Sequence, residues 1–587
     1  MRRILPISLL FLFIIACPLA AAQTSPDVNA ESFGLLTLLP PLVAIALAFI
    51  TRNVIISLFT GVFIGSLLLS LPGGNLFSEL PERFPGLVPF SRGSFSGNAT
   101  NPLSALLEGF LALISRAQHA LADPWNAGII LQVLTIGGLI ALMTRSGGIR
   151  ALAERIAAKA RSPLTAQLAA WLLGLTIFFD DYANALILGP AMRPVTDRMR
   201  VSREKLAFII DGTAAPIAGM ALISTWIAYE LGLLRDAFTA IGVATPAYEI
   251  FINTLPYRFY NILILVFIPG TVLLRREYGP MLQAEQRCRK TGAALAPGAR
   301  AMVSETAAPE KEAHGSSWMM LIPITVLILA SFAGFWYDGY QKIMVGTAIP
   351  LKAIVSGSPL SFTAIRICFG KASAAVVIFQ AAILASLTSL ALWKWKLKQP
   401  LQEGIAVWIS GVKALSFTAV VLILAWSLSG VIKELGTAKW LSGLLSGALP
   451  PALLPALIFL LGSVISFASG TSYGTMGILM PLAIPLAHAL GKGNIGLTTM
   501  AAGAVLTGAI FGDHCSPISD TTILSSTAAA SDHMDHTRTQ LPYALTAAIT
   551  ALFLGYIPAG LGVDPLLLLP LSSIVLLGGL RLFGKRV

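Results

Sequence analysis

The sequence predicts an all-α polytopic membrane protein with about 10–13 membrane-crossing helices. Three observations carry this. The 587 residues are 56% hydrophobic and 12% charged, where soluble chains average about 25% charged. Apolar stretches close to the ~20 residues that cross a ~30 Å hydrocarbon core recur along the chain. Lys and Arg gather at the ends of alternate stretches, the pattern of cytoplasmic loops.

The formal charge of +12 follows from those basic loops, so the expected surroundings are a lipid bilayer and no nucleic-acid partner is expected. The cysteines Cys17, Cys288, Cys368 and Cys515 form no CxxC pair. Neither a disulfide framework nor a zinc cluster is read from them.

The chain starts MRRILPISLLFLFIIACPLAAAQTSPD, with two arginines, a short apolar core and Ala20-Ala21-Ala22 before Gln23. That three-part pattern predicts a signal peptide over 1–22. Spans are expected near 34–51 and 54–71, then a Pro-, Gly- and Ser-rich outer loop at 72–103 and a half-buried helix at 104–122. A span near 126–144 ends at Arg145, Arg150 and Arg155. Segment 164–192 leaves from basic residues and ends at Arg193, Arg198 and Arg200. It is either a re-entrant hairpin or two short spans, with FFDDYAN at the turn. Spans at 206–227 and 259–274 complete a first repeat over 34–274.

Residues 275–317 read as a polar, flexible cytoplasmic linker. A second repeat over 318–530 holds spans near 318–337, 372–392 and 413–432, a second hairpin at 452–490 and a broken span at 496–528; residues 338–360 stay ambiguous. C-terminal membrane helices are expected within 541–583.

The halves resemble each other. Ile187-Leu188-Gly189-Pro190 with Pro194 matches Ile478-Leu479-Met480-Pro481 with Pro485, and Gly148, Pro163 and Gly174 match Gly436, Pro451 and Gly462. Asp211–Ser224 aligns with Gly512–Ser525 through Pro216 and Pro517. The first repeat begins outside and the second inside. Inverted repeats with paired discontinuous helices are transporter architecture, with the site near the midplane.

Asp180 and Asp181 are the strongest single signal. A carboxylate in mid-bilayer costs about 2.5–3.5 kcal/mol on insertion scales, so it usually faces a cavity and carries function. Two close carboxylates repel, which favours a shared proton or a bound cation. The alternative is that both cap a turn at the aqueous surface. Asn184, one helical turn past Asp180, adds a neutral oxygen on the same face. The second hairpin has hydroxyls instead: Ser469, Thr471, Ser472 and Thr475 around Gly470 and Gly474. They suit a cation or a substrate carboxylate, or else simple packing of small residues. Asp513, His514, Ser516, Asp520 and Thr521 surround Pro517, which frees a carbonyl one turn earlier. Asp211 and Thr213, before Pro216, are their first-half equivalents. Thr225, Trp226, Tyr229 and Glu230 follow at the outer end of that break; the alternative for them is an aromatic belt with a surface acid, and the placement of Glu230 stays open. SDHMDH (531–536) has the look of a metal cluster but reads as a solvated loop before a span.

Four stretches carry a family resemblance: FFDDYAN (178–184), STWIAYELGL (224–233), SGTSYGTMGILMP (469–481) and GDHCSPISDTTILSSTAAASDHMDHTRTQLPYAL (512–545). At these residues the sequence resembles the NhaC-type sodium/proton antiporter family, through most of 34–560. The resemblance implies a multi-pass secondary transporter of a bacterial inner membrane, not an enzyme, that moves sodium out against inward protons. It implies no cofactor, only sodium and protons as transported species, and a homodimer is left open. Similar proteins of the wider group exchange organic acids or amino acids with ions. A sodium- or proton-coupled carrier of a small organic acid or amino acid is therefore the alternative. On this reading Asp180, Asp181 and Asp513 alternate between sodium and protons. Asn184, Asp211, Thr213, Ser469, Thr471, Ser472, Thr475, His514, Ser516, Asp520 and Thr521 supply oxygens or shape the site.

Overall fold

The computed structural model describes residues 26–51, 53–70, 102–243, 245–302, 315–347, 349–445 and 449–587. The expected signal peptide at 1–22 and nearly all of the expected outer loop at 72–103 lie outside the described residues. Among those described, ten helices are long and apolar enough to cross a membrane. The count reaches eleven if Ala247–Tyr257 and Phe259–Leu274, bent by 52° at their junction, form one span.

The helices that frame the site are α1 (Pro124–Arg145), α2 (Pro163–Thr176), α3 (Asp181–Arg198), α4 (Arg203–Gly212), α5 (Thr225–Ala240), α6 (Phe259–Leu274), α7 (Leu401–Ala414), α8 (Leu454–Ser469), α9 (Ser472–Leu490), α10 (Ile495–Cys515), α11 (Asp520–Ala529) and α12 (His533–Thr550). The two expected hairpins are α2–α3 and α8–α9. Local chemistry sets their turns. Ser162 and Thr165 form a capping box at the start of α2, with Pro163 in the first turn. Asp180 is extended and its Oδ1 accepts the Ala183 N–H at 2.7 Å, so it is the N-cap of α3. Thr471 caps α9 in the same way, accepting from Gly474 N–H at 3.4 Å. Asp180 and Thr471 therefore hold one position in two hairpins, at the interval that separates Pro190 from Pro481. Before Thr471, Gly470 has φ +67°, and a Cβ there would meet the Ile518 carbonyl oxygen at 2.7 Å. Only glycine satisfies both demands.

Both expected breaks are present, with different lengths. The second is short: α10 ends at Cys515 and Ser519 caps α11. The first contains an extra helical turn, Ala215–Ala218, before Ser224 caps α5. That turn shifts the register, so Ser224 corresponds to the cap Ser519 and not, as alignment through the prolines suggests, to Ser525. The returning arm of each hairpin packs on the later half of the broken span more distant in sequence, α3 on α11 and α9 on α5. At Gly189 the first of these approaches is close enough that a Cβ would lie 2.5 Å from the Ala528 backbone.

The segment expected as a flexible linker is ordered over its first part. Arg276–Glu277 (β1) pairs antiparallel with Lys585–Arg586 (β2), and a helix at Gly279–Thr291 packs on α4 and α12. Its polar composition hides an ion-paired cover: Lys205 meets Glu277 at 2.8 Å and Arg287 meets Glu204 at 2.9 Å. Residues 303–314 lie outside the described residues. Helix α7 has no counterpart among the expected spans, because Glu403 and Lys413 interrupt its apolar run.

Asp123 fixes the start of α1. Its Oδ1 accepts from Trp125 N–H and Asn126 N–H, both at 3.0 Å, and Arg235 Nη1 lies 2.7 Å away. The Arg235 guanidinium holds the Asp123 carboxyl below the usual carboxylate range. This contribution is complete above the unfolded value near ~3.9 and is lost as pH falls through the folded value. Asp123→Ala is expected to lower stability by about 1 kcal/mol, the usual worth of such a cap, measured by thermal melting in detergent.

Candidate functional site

A cavity of about 1260 Å³ lies between α1 and α7 on one side and the two hairpin tips on the other. Asp180 and Asp181 from the first tip, Thr471 and Ser472 from the second, and Asp513, Asp520 and Thr521 around the second break all line it. Half of the residues singled out in the sequence thus share one space, although they come from distant parts of the chain.

Hydrogen bonds lock the parts together. Asp180 Oδ2 accepts from the Thr225 hydroxyl at 3.2 Å, which joins the first tip to α5. Ser472 Oγ donates to Asp513 Oδ2 at 2.8 Å, which joins the second tip to α10. The Tyr182 hydroxyl donates to Asp520 Oδ2 at 3.3 Å, linking the first tip to the second break. The surface-turn alternative for the aspartates is half met: Asp180 does cap a turn, but Asp180 and Asp181 are only 6% and 5% exposed, inside protein.

Charge is the unusual feature. Two buried acids elsewhere have a fixed cation: Glu277 has Lys205, and Glu230 has Arg258 at 2.6 Å. Asp180, Asp181 and Asp513 form no salt bridge among the described residues, and Asp513 Oδ1 is buried without a well-formed hydrogen bond, with Ser519 as a weak neighbour. A buried carboxylate in that condition needs a proton or a mobile cation. Among the described residues no three His, Cys, Asp or Glu side chains converge closely enough to hold a metal ion. The three acids therefore line one cavity without forming a closed cage, and hydroxyls, carbonyls or water must complete any cation's shell.

The other expected residues stand behind the cavity. Asn184 Nδ2 donates to the Gly174 and Thr213 carbonyls, each at 2.8 Å, and so ties the first hairpin to the first break. Ser516 Oγ donates to the Phe467 carbonyl at 2.7 Å, doing the same in the second half. Thr213, Ser469 and Thr475 hydroxyls bond to carbonyls four residues back on their own chain. His514 Nδ1 meets the Tyr260 hydroxyl, and Asp211 lies nearby in the α4 packing. None of these seven lines the cavity.

Several other residues line the cavity without a distinctive signal in the sequence, among them Tyr182, Tyr473, Arg145 and Glu403. Trp226 and Tyr229 are not a membrane-interface belt. Trp226 is 2% exposed and lines the cavity wall. Tyr229 stacks on Tyr473 at 4.3 Å and donates to its carbonyl. The placement left open for Glu230 is a wholly buried ion pair. The solvated-loop reading of SDHMDH fits Asp532, a half-buried helix cap, and fails for His536, which is fully buried.

Helices α1 and α7 meet backbone to backbone at the cavity wall. A Cβ on Gly411 would lie 2.2 Å from the Gly137 carbonyl oxygen. Gly411→Val is expected to push α7 away and cost about 1–3 kcal/mol, seen as a lower melting temperature.

The model of the Na+/H+ antiporter family matches residues 217–561, more than half of the chain. An uncharacterized protein of Haemophilus influenzae is 32% identical over 528 residues, 89% of this chain and 90% of its own. The malate-2H+/Na+-lactate antiporter of Bacillus subtilis is 37% identical over 103 residues, 17% of this chain and 21% of its own. Among solved structures, the YdaH transporter of Alcanivorax borkumensis is 15% identical, with 89% of this chain and 97% of that one covered at TM-score 0.44. MtrF of Neisseria gonorrhoeae is 14% identical, with 88% and 94% covered at TM-score 0.49. Multi-pass helices, paired broken elements and the family match lead to one conclusion: the chain belongs to the Na+/H+ antiporter family.

Proposed function

We propose that the protein exchanges sodium for protons by alternating access, with Asp180, Asp181 and Asp513 as the carboxylates both ions use. The observation that carries this reading is the meeting of three buried acids, without fixed cations, in one cavity walled by two hairpin tips. Competition is sufficient for exchange, because a protonated carboxylate has lost the charge that attracts sodium. Thr471, Ser472 and Thr521 supply neutral oxygens to the dehydrated ion. The reciprocal packing of hairpins and broken spans supports inverted repeats about a site near the membrane midplane. The basic ends of α1 and of the stretch before α7 support a cavity mouth, with Arg145 and Glu403, on the cytoplasmic side of a bacterial inner membrane.

One observation favours a second reading. A cavity of about 1260 Å³ is far larger than a sodium ion, and Arg145 with the tip hydroxyls suits a small carboxylate. The short match to a malate-2H+/Na+-lactate antiporter agrees with an ion-coupled organic acid carrier. Purified protein in liposomes with an internal pH dye separates the two. Sodium alone is expected to drive proton movement. Movement only when malate, lactate or an amino acid is added would replace exchange with coupled organic transport.

A further inference from the structure

We propose that Asp211, Thr522 and Ser525 form a second sodium site, outside the cavity and within the helix packing. Asp211 projects from α4, and its carboxylate is 1% exposed. One oxygen is satisfied: Oδ2 accepts from Gln540 Nε2 at 2.7 Å. The other, Oδ1, has no well-formed hydrogen bond. Thr522 and Ser525 lie beside that carboxylate. They stand about one turn apart on α11, which packs on α4. Both are fully buried. The two hydroxyls are within weak hydrogen-bonding reach of the carboxylate, but none of the three oxygens has a well-formed hydrogen bond, a recognised mark of a missing water or ion.

Charge decides between the two. A carboxylate in dry protein needs a proton or a positive partner, and a cation is the occupant that also engages the two hydroxyls. Glu230 and Glu277 have arginine and lysine for this purpose. Asp211 has neither among the described residues. The one basic side chain there within ion-pair distance is His536, whose Nε2 is 3.9 Å from Oδ2, and the other charge that acts on Asp211 is the like charge of Asp513. That ring is already held between Gln540 Oε1 at 2.9 Å and Ser526 Oγ at 2.8 Å. Gln540 also donates to the His514 carbonyl at the end of α10. It thereby fixes the Asp211 carboxylate with Oδ1 free to face the hydroxyls. One carboxylate and two hydroxyls are hard oxygen donors of the kind that bind sodium at helix breaks. Gln540 and His536 are positioning residues and make no contact with the ion in this assignment.

The proposal rests on the exchange reading only in naming sodium as the ion. Equilibrium binding of radioactive sodium to the purified full-length protein tests it. The wild type is expected to bind two sodium ions per chain. The Thr522→Val, Ser525→Ala double variant should keep one, and Asp513→Asn should keep the other. Thr522→Ser retains the hydroxyl and should bind two, which separates a lost ligand from a lost fold. If the double variant does not fold, Ser525→Ala alone should weaken one of the two sodium ions by about tenfold, and unchanged binding of both overturns the site. A wild type that binds one sodium, unaffected by the double variant, overturns the second site. Loss of that one in Asp513→Asn would leave the cavity reading standing. Loss in the double variant but not in Asp513→Asn would do the reverse.

Discussion

Asp181→Asn is expected to abolish exchange, by at least ~100-fold, while the protein stays folded and monodisperse. Loss of groups that merely support a metal ligand already costs about 10–100-fold. Removing a carboxylate that takes the transported ions should cost more. The amide is nearly isosteric, so packing at the turn survives. Asp180 supplies the helix cap through Oδ1, and that bond does not depend on Asp181. Asp180→Ala should therefore damage both folding and transport, because Ala cannot cap α3, whereas Asp181→Asn damages transport alone. Sodium-driven proton flux and thermal melting, measured on both variants, check the contrast. Normal flux in Asp181→Asn would remove that residue from the site.

Arg258→Ala is expected to be the most destabilising single change in the interior. Arg258 and Glu230 are both 0% exposed and 2.6 Å apart. Removing one partner of a buried pair leaves an uncompensated charge and costs about 3–5 kcal/mol. Against a net stability of about 5–15 kcal/mol for typical folded domains, that is enough to cut the yield of folded protein sharply. Replacing both residues by apolar ones of similar volume should recover most of the loss, because well-packed hydrophobic pairs often match a buried ion pair. Melting temperatures of wild type, both single variants and the double variant form the cycle that measures the coupling. A single variant as stable as wild type would contradict the buried pairing.

Much of the site is legible in the sequence because charge in an apolar run is conspicuous. Asp180, Asp181 and Asp513 stand out against the residues around them, and the proline spacing ties the two hairpins together. The one-turn helix Ala215–Ala218 in the first break is not legible, since no residue pattern there announces an extra turn. Sequence also misleads about burial wherever polar residues end up inside. Glu285 and Cys288 sit on a polar stretch that reads as linker, yet they are covered by packing on α4 and α12. His536 and Gln540 look solvated because they follow acids and another histidine. Part of their burial comes from α4, more than 300 residues away in sequence, as the 329-residue separation between Gln540 and Asp211 shows. Trp226 misleads for a related reason: an aromatic near a helix start suits a membrane interface equally well until its neighbours are known.

Sodium and proton competition for one set of carboxylates is the central claim, and the pH dependence of sodium affinity tests it most directly. In proteoliposomes, the half-saturating sodium concentration should rise as pH falls, approaching about tenfold per pH unit where one proton excludes one sodium. The maximal rate at saturating sodium should change little over the same range. A half-saturating concentration that stays constant while the maximal rate falls would mean that proton and sodium bind at separate places, and would contradict the account.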